Sequence, residues 1–463
     1  MPLNHKSPDD QSLERALRSS GSDTLRQPQN EIYFRVVLIG LLLNIVSAIL
    51  FISLVNRPVY DDVYNMLDVR TYAADGLSAK ALLSQRNAPG PASFLWMAVG
   101  ARLLPGNELR GARVAVLGSW ILLVVGMLLG ARYSKFPAAW YASLLALVVF
   151  PHSVESTATA LTEGPSLLFA LLGVLAWIES ASSSKPTRNT YVLAMLGGLS
   201  MGIAVTCRQY FLALLPAAAI FAIYQWRRTG IREDFRWAGS ILVSFLLAAV
   251  PVLLLLFVWK NISSPAVASG SSYDNAWKAS VGLNLSRPLI VALYTALYLV
   301  PLTFPVMLRL KNSRRLIALP IAILGGVSIA YFSPLFLQPG PLNSFIQFSS
   351  RVLHGATVLL ALAAAIALYN AAAVVFLLWD QRQALLSCPP VIFSLFVVLF
   401  FIAEQIGVGG NLPFYDRYVL QLAPFLGIIA FFALPRLTPA RLLALAALSV
   451  LSHIMLWRFA FAS

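Results

Sequence analysis

Two adjacent carboxylates, Asp61 and Asp62, follow closely on the first long apolar stretch of this 463-residue chain. An ionisable group at the edge of hydrocarbon must be solvated, paired or put to use. Side by side, the two repel, which raises one pKa and suits that carboxylate to taking a proton. The plain alternative is a pair of solvated acids favouring the start of a helix. Glu163 precedes Gly164-Pro165, where a carboxylate also complements a helix N-terminus. His152 and Glu155 are three apart and can share a helical face. With Asp61, Asp62 and Glu163 they make a donor set that a divalent cation would accept, and hydration accounts for them as simply. Arg86, Arg208, Arg351 and Arg417 carry planar guanidinium groups suited to bidentate capture of phosphate. For each arginine the alternative is snorkelling to lipid headgroups.

The elements that must position these groups are apolar spans. Hydrophobic residues make up 59% of the chain and charged residues 11%, with a mean hydropathy of +0.75, whereas soluble domains are about one-quarter charged. Runs long enough to cross about 30 Å of hydrocarbon, roughly 20 residues each, recur from Tyr33 almost to the C-terminus. We read an all-α polytopic membrane protein with about 13 transmembrane helices, at 34–55, 112–130, 137–151, 164–179, 191–206, 210–226, 237–259, 288–308, 316–337, 352–378, 390–407, 417–434 and 443–461. Residues 1–32 are expected to form a disordered cytoplasmic tail and 33–463 a single integral membrane domain, with Leu38–Leu54 the core of an uncleaved anchor. The net charge of +15 is spread over short loops, so it sets topology and attracts anionic lipid but does not mark a nucleic-acid partner. Fifteen Arg and Lys residues lie in six short connections on the side of the tail, which places the N-terminus in the cytoplasm. Cys207 and Cys388 fall at opposite faces, so no disulfide between them is expected.

The connection 56–113 then lies outside the cell. Within it Pro91–Leu104 is apolar but too short to span, and Val63–Gln85 is weakly amphipathic. Both are read as surface helices lying on the outer leaflet.

This order of features resembles the GT-C superfamily of polytopic glycosyltransferases, and within it the bacterial aminoarabinose-transferase-like and protein-mannosyltransferase-like members. The residues that carry the likeness are the acidic first loop, Gly90-Pro91-Ala92-Ser93-Phe94-Leu95-Trp96, Asn107-Glu108-Leu109-Arg110-Gly111-Ala112-Arg113, and Thr162-Glu163-Gly164-Pro165, which is similar to a Thr-Asp-x-Pro motif of the family. The likeness covers residues 34 to about 215 and returns at Asp416-Arg417-Tyr418-Val419-Leu420. It implies a donor sugar on a polyprenyl phosphate, an external acceptor that is a cell-envelope lipid, glycan or protein, and inverting displacement with a first-loop Asp as base. It therefore directs attention to Asp61 and Asp62 without choosing between them. It also implies acceptor or metal binding at Glu163 and a phosphate contact at Arg208, with Arg417, near the external end of a span, the second candidate for that contact. Where aminoarabinose-transferase-like members carry Glu-Lys-Pro-Pro, this chain has Arg86-Asn87-Ala88-Pro89. Arg86 stands in for the lysine, and the missing acid leaves a divalent cation open, with no cofactor required. A multi-pass protein of the bacterial inner membrane is implied, with the active site external.

Two other classes fit a polytopic chain with external charges. A lipid or glycolipid flippase would show paired halves and broken spans meeting at the midplane, and no duplication is seen here. Glu404, in or at the end of a span, is the residue that fits such a transporter best. A lipid-linked glycan polymerase or ligase would carry its reactive groups in a late external loop instead.

Overall fold

The structure, a computed structural model, describes residues 22–59, 61–183, 187–229, 235–261, 264–268, 283, 287–331, 356–407, 416–434 and 436–461. No strand occurs among the described residues. The chain opens with α1 (Ser22–Leu54), which begins inside the stretch expected to be a tail. The connection to the next long helix folds into three short helices, α2 (Asp62–Asp75), α3 (Ala79–Ser84) and α4 (Pro91–Leu103).

One helix was expected over Val63–Gln85, and two are present. Gly76 breaks the run by taking φ +64°, a conformation that favours glycine. Ser78 then starts α3 by accepting a hydrogen bond from the N–H of Ala81 at 3.1 Å.

Next come α5 (Glu108–Tyr133), α6 (Pro137–Val149), α7 (Ser153–Ala158), α8 (Glu163–Ala181) and α9 (Arg188–Cys207), followed by a 3-10 turn at Gln209–Ala213. The second half contains α10 (Leu214–Thr229), α11 (Phe235–Trp259), α12 (Pro265–Ala268), α13 (Arg287–Thr303), α14 (Pro305–Arg309) and α15 (Asn312–Tyr331). It ends with α16 (Ala356–Asp380), α17 (Arg382–Leu386), α18 (Pro389–Glu404), a 3-10 turn at Asp416–Gln421, α19 (Ala423–Ala433) and α20 (Pro439–Phe461).

Among the described residues eight helices are long and apolar enough to cross a membrane: α1, α5, α8, α9, the turn with α10, α11, α16 and α20. The chain is a multi-pass membrane protein. Four more of the expected spans correspond to shorter apolar helices, α6, α13, α18 and α19. With 13 residues at about 1.5 Å each, α6 falls well short of a bilayer's hydrocarbon thickness. The span expected at 316–337 is represented by α15, and its last residues lie outside the described residues.

Short helices are tolerated here because they are enclosed by protein. From Ala142 to Leu168 every residue is buried. Within this stretch the chain leaves α6 at Phe150, makes the single turn of α7 and enters α8 at Glu163. Non-helical backbone at membrane depth survives only where protein surrounds it, and α1, α5 and α20 supply that enclosure. The Asn44 amide of α1 donates to the Val148 carbonyl at 2.9 Å, and the Ser452 hydroxyl of α20 accepts from the Val154 N–H at 3.1 Å. By contrast, α11 turns most of its apolar surface outward, with Leu242, Leu246, Leu253, Leu254 and Phe257 all exposed. It meets α9 closely because an added Cβ at Gly198 or Gly202 would come within 2.1 Å or 2.3 Å of an α11 carbonyl oxygen. Small residues of this kind let membrane helices approach.

Candidate active site

The two neighbouring acids are separated by their surroundings. Asp62, the first residue of α2, is fully buried. Its Oδ2 receives the Arg113 guanidinium at 2.5 Å and 3.1 Å, and the Val59 N–H at 3.2 Å; Oδ1 receives the Ala160 N–H at 2.6 Å. Burial raises this carboxyl above its ordinary range, against the pull of Arg113 and the two backbone N–H groups. Arg113 also donates to the carbonyls of Val55 (2.5 Å) and Arg57 (2.9 Å). The end of α1, the start of α2, α5 and the buried turn before α8 are thus tied at one point. Asp62 is occupied in that tie and closed to solvent.

Asp61 faces the other way. It occupies the N-cap position of α2, yet its side chain caps nothing. Instead its Oδ2 lies 2.5 Å from Nη2 of Arg417, and the side chain keeps 34% of its surface exposed. The expected repulsion between paired carboxylates is therefore not the controlling interaction, because each acid has its own cation.

Arg417 comes from the 3-10 turn Asp416–Gln421, more than 350 residues further along the chain. Its Nε is 3.9 Å from Oε1 of Glu163, and Nη1 of Arg208 is 3.1 Å from the same oxygen. Glu163 begins α8, and Arg208 follows the last residue of α9 in extended conformation (φ −153°, ψ 118°). Arg208 also donates to the Thr162 hydroxyl. The Tyr418 ring lies between the two guanidinium groups, 4.9 Å from that of Arg208 and 5.4 Å from that of Arg417. Four ionisable groups expected separately from the sequence thus form one chain, Asp61, Arg417, Glu163, Arg208. Both Glu163 oxygens are buried without a hydrogen bond, so this carboxylate keeps capacity to accept from a hydroxyl.

The loop after α3 is braced on the same region. The Asp68 carboxylate receives the backbone N–H groups of Arg86 (3.0 Å) and Asn87 (2.9 Å) and the Asn87 amide (2.7 Å), while burial pushes its carboxyl up. Gln209 donates to the Ala88 carbonyl at 2.6 Å, and the Gly90 N–H to the Cys207 carbonyl at 3.1 Å. A Cβ at Gly90 would lie 1.9 Å from the Thr206 carbonyl oxygen, so only glycine allows this contact. Arg86 itself has an exposed side chain on this loop.

His152 and Glu155 form a separate buried pair, Nδ1 to Oε2 at 3.1 Å. They do not join Asp61, Asp62 and Glu163 in a metal site: among the described residues no three His, Cys, Asp or Glu side chains stand close enough to hold an ion. Arg351 lies outside the described residues.

Sequence reasoning missed three parts of this region. Arg113 was read only as the end of a motif, and Asn65, whose amide donates to the Ala160 carbonyl at 2.8 Å, was not singled out. The third is a buried polar cluster beside Tyr210, where Arg287 donates to Gln405 at 3.1 Å and to the Tyr210 hydroxyl at 3.3 Å. The available signal was the position of Arg287 and Glu404-Gln405 at ends of apolar runs; pairing between runs so distant cannot be read from one sequence.

The family described as dolichyl-phosphate-mannose-protein mannosyltransferase matches residues 81–264. This interval contains Arg86, His152, Glu155, Glu163 and Arg208, and leaves Asp61, Asp62 and Arg417 outside. No curated protein matches the chain. Among solved structures, ArnT from Cupriavidus metallidurans bound to undecaprenyl phosphate is 16% identical with a TM-score of 0.44, over 87% of this chain and 60% of that one. The same protein in the apo state is 13% identical with a TM-score of 0.37, over 91% of this chain and 77% of that one. The chain thus spans about 60% of the length of the first of these structures. The match over residues 81–264 bears out the likeness to GT-C glycosyltransferases that the sequence motifs carry.

Proposed function

We propose that this chain is an integral membrane glycosyltransferase of the GT-C kind, moving a sugar from a polyprenyl-phosphate donor to a hydroxyl of an external acceptor. The observation that carries the reading is the junction of Asp61, Arg417, Glu163 and Arg208, a partly open carboxylate beside two buried guanidinium groups. Glycosyl transfer from a phosphate needs a base for the acceptor proton and cations for the departing phosphate. Asp61 supplies the base, because its carboxylate reaches solvent while that of Asp62 does not. Arg208 and Arg417 hold the phosphate. Glu163, with unfilled acceptor capacity, receives a hydroxyl of donor or acceptor. The acceptor oxygen attacks the anomeric carbon as Asp61 takes its proton, and the carbon–oxygen bond to phosphate breaks with its electron pair on phosphate, inverting the sugar carbon. The apolar helices facing lipid give the donor's tail its path to the site, with the reaction on the external face of the bacterial inner membrane.

The test is release of polyprenyl phosphate by purified protein from a panel of polyprenyl-phosphate sugars, with cell-envelope extract as acceptor. Asp61→Asn is expected to lower release at least about 100-fold, the scale of a lost general base, with unchanged thermal stability. Asp62→Asn is expected to lower the unfolding temperature instead. Release at the wild-type rate by a folded Asp61→Asn variant would remove Asp61 as the base, whereas no release by the wild type would favour a flippase.

A further inference from the structure

We infer that Arg417 masks the catalytic base until the donor phosphate withdraws it, so that donor binding precedes productive acceptor binding. This inference rests on the transferase reading above and concerns the order of events at that site.

The geometry begins with a shared cation. Arg417 contacts Asp61 at 2.5 Å through Nη2 and approaches Glu163 at 3.9 Å through Nε. Glu163 has a nearer cation in Arg208, at 3.1 Å. Among the described residues, two carboxylates and two guanidinium groups make up this cluster, and within it Asp61 is paired with Arg417.

An arriving donor brings a phosphodiester with one negative charge to this cluster. Arg208 is already committed to Glu163 and the Thr162 hydroxyl. Arg417 is the cation with the more exposed partner, since Asp61 keeps 34% of its surface open whereas Glu163 is almost wholly buried. An incoming anion therefore competes for Arg417 at the Asp61 end. Glu163 and the Tyr418 ring, at 5.4 Å, keep the guanidinium at the site as it turns.

The charge balance of transfer drives the same exchange. As the acceptor hydroxyl loses its proton to Asp61, the carboxylate becomes neutral and no longer attracts a cation. As the carbon–oxygen bond to phosphate breaks, the diester becomes a monoester and gains one negative charge. Charge thus leaves one neighbour of Arg417 and appears on another. A cation that follows it binds the transition state more tightly than the resting state, which is the condition for catalysis.

The experiment measures access to Asp61 by carbodiimide-promoted amine labelling of the full-length protein in nanodiscs, read by peptide mass spectrometry. Asp75 is the internal reference, because it lies in the same connection, pairs with Lys80 and has a similar side-chain exposure of 31%. Polyprenyl phosphate is expected to raise labelling of Asp61 at least 3-fold relative to Asp75, while the parent polyprenol leaves it unchanged. Arg417→Gln is expected to show the raised level without lipid and no further rise on addition. Binding of polyprenyl phosphate, followed separately with radiolabelled lipid, without increased labelling of wild-type Asp61 would overturn the masking role and leave the transferase reading intact. Failure of the lipid to bind would overturn both.

Discussion

At the scale of single residues, the adjacent acids of the first loop have different work because of what faces them. Asp62 is part of a buried tie with Arg113, and a buried ion pair owes its importance to what happens when one half is removed. Arg113→Met is expected to destabilise the protein by about 3–5 kcal/mol by leaving the Asp62 carboxylate without its cation. Converting both partners to apolar residues is expected to cost less than that single change. Unfolding of the wild type and these two variants in detergent, followed by intrinsic tryptophan fluorescence, measures the difference. A double variant less stable than Arg113→Met would contradict this account. That an acid pair at this place mattered was legible in the sequence. Which acid was structural was not, because Arg113 and Ala160 reach Asp62 from 51 and 98 residues away.

At the scale of elements, the site hangs on the ends of helices. Glu163 and Arg208 meet because α8 begins where α9 ends, and the loop before α4 is pressed against that junction by the close approach of Gly90 to Thr206. Gly90→Ala must push the two backbones apart, and overpacking of this kind costs about 1–3 kcal/mol. The expected result is a lower unfolding temperature together with slower transfer, since the displaced Thr206–Arg208 segment carries Arg208, the phosphate contact we propose. Unchanged turnover in Gly90→Ala, measured by lipid release, would show that the brace does not position Arg208. The motif around Gly90-Pro91 was visible in the sequence, and so was a helix over Pro91–Leu104. The break at Gly76 was missed because the absence of proline in Val63–Gln85 outweighed the local signal, the Asp75-Gly76 turn pair followed by the helix-starting Ser78.

At the scale of the whole molecule, the spans enclose a polar interior at one end and turn apolar faces outward elsewhere. On the topology we propose from the distribution of basic residues, the connections around Lys135 and Arg382 share the side of the N-terminus, and the connection holding α2 and α3 lies on the other. In a Cys388→Ser background, Leu77→Cys is expected to react with a membrane-impermeant maleimide in intact cells. Lys135→Cys is expected to react only after the membrane is opened. The reverse pattern would invert the topology and place Asp61 in the cytoplasm. Both positions are exposed at the protein surface, so a failure to label reports the membrane and not burial.

The sequence by itself determined the helical class, nearly all of the apolar segments, and the identity of four of the groups that meet at the site. Hydropathy over a window of some 20 residues is a local quantity, and a charge at the end of an apolar run is visible wherever the run is. Tertiary structure decided which of those segments are too short to span unaided and which acid remains open to solvent. It also decided which arginine pairs with which carboxylate. Asp61 and Arg417 are 356 residues apart, and their contact exists only because α2 and the turn before α19 are carried to one place by the packing of the helices between them.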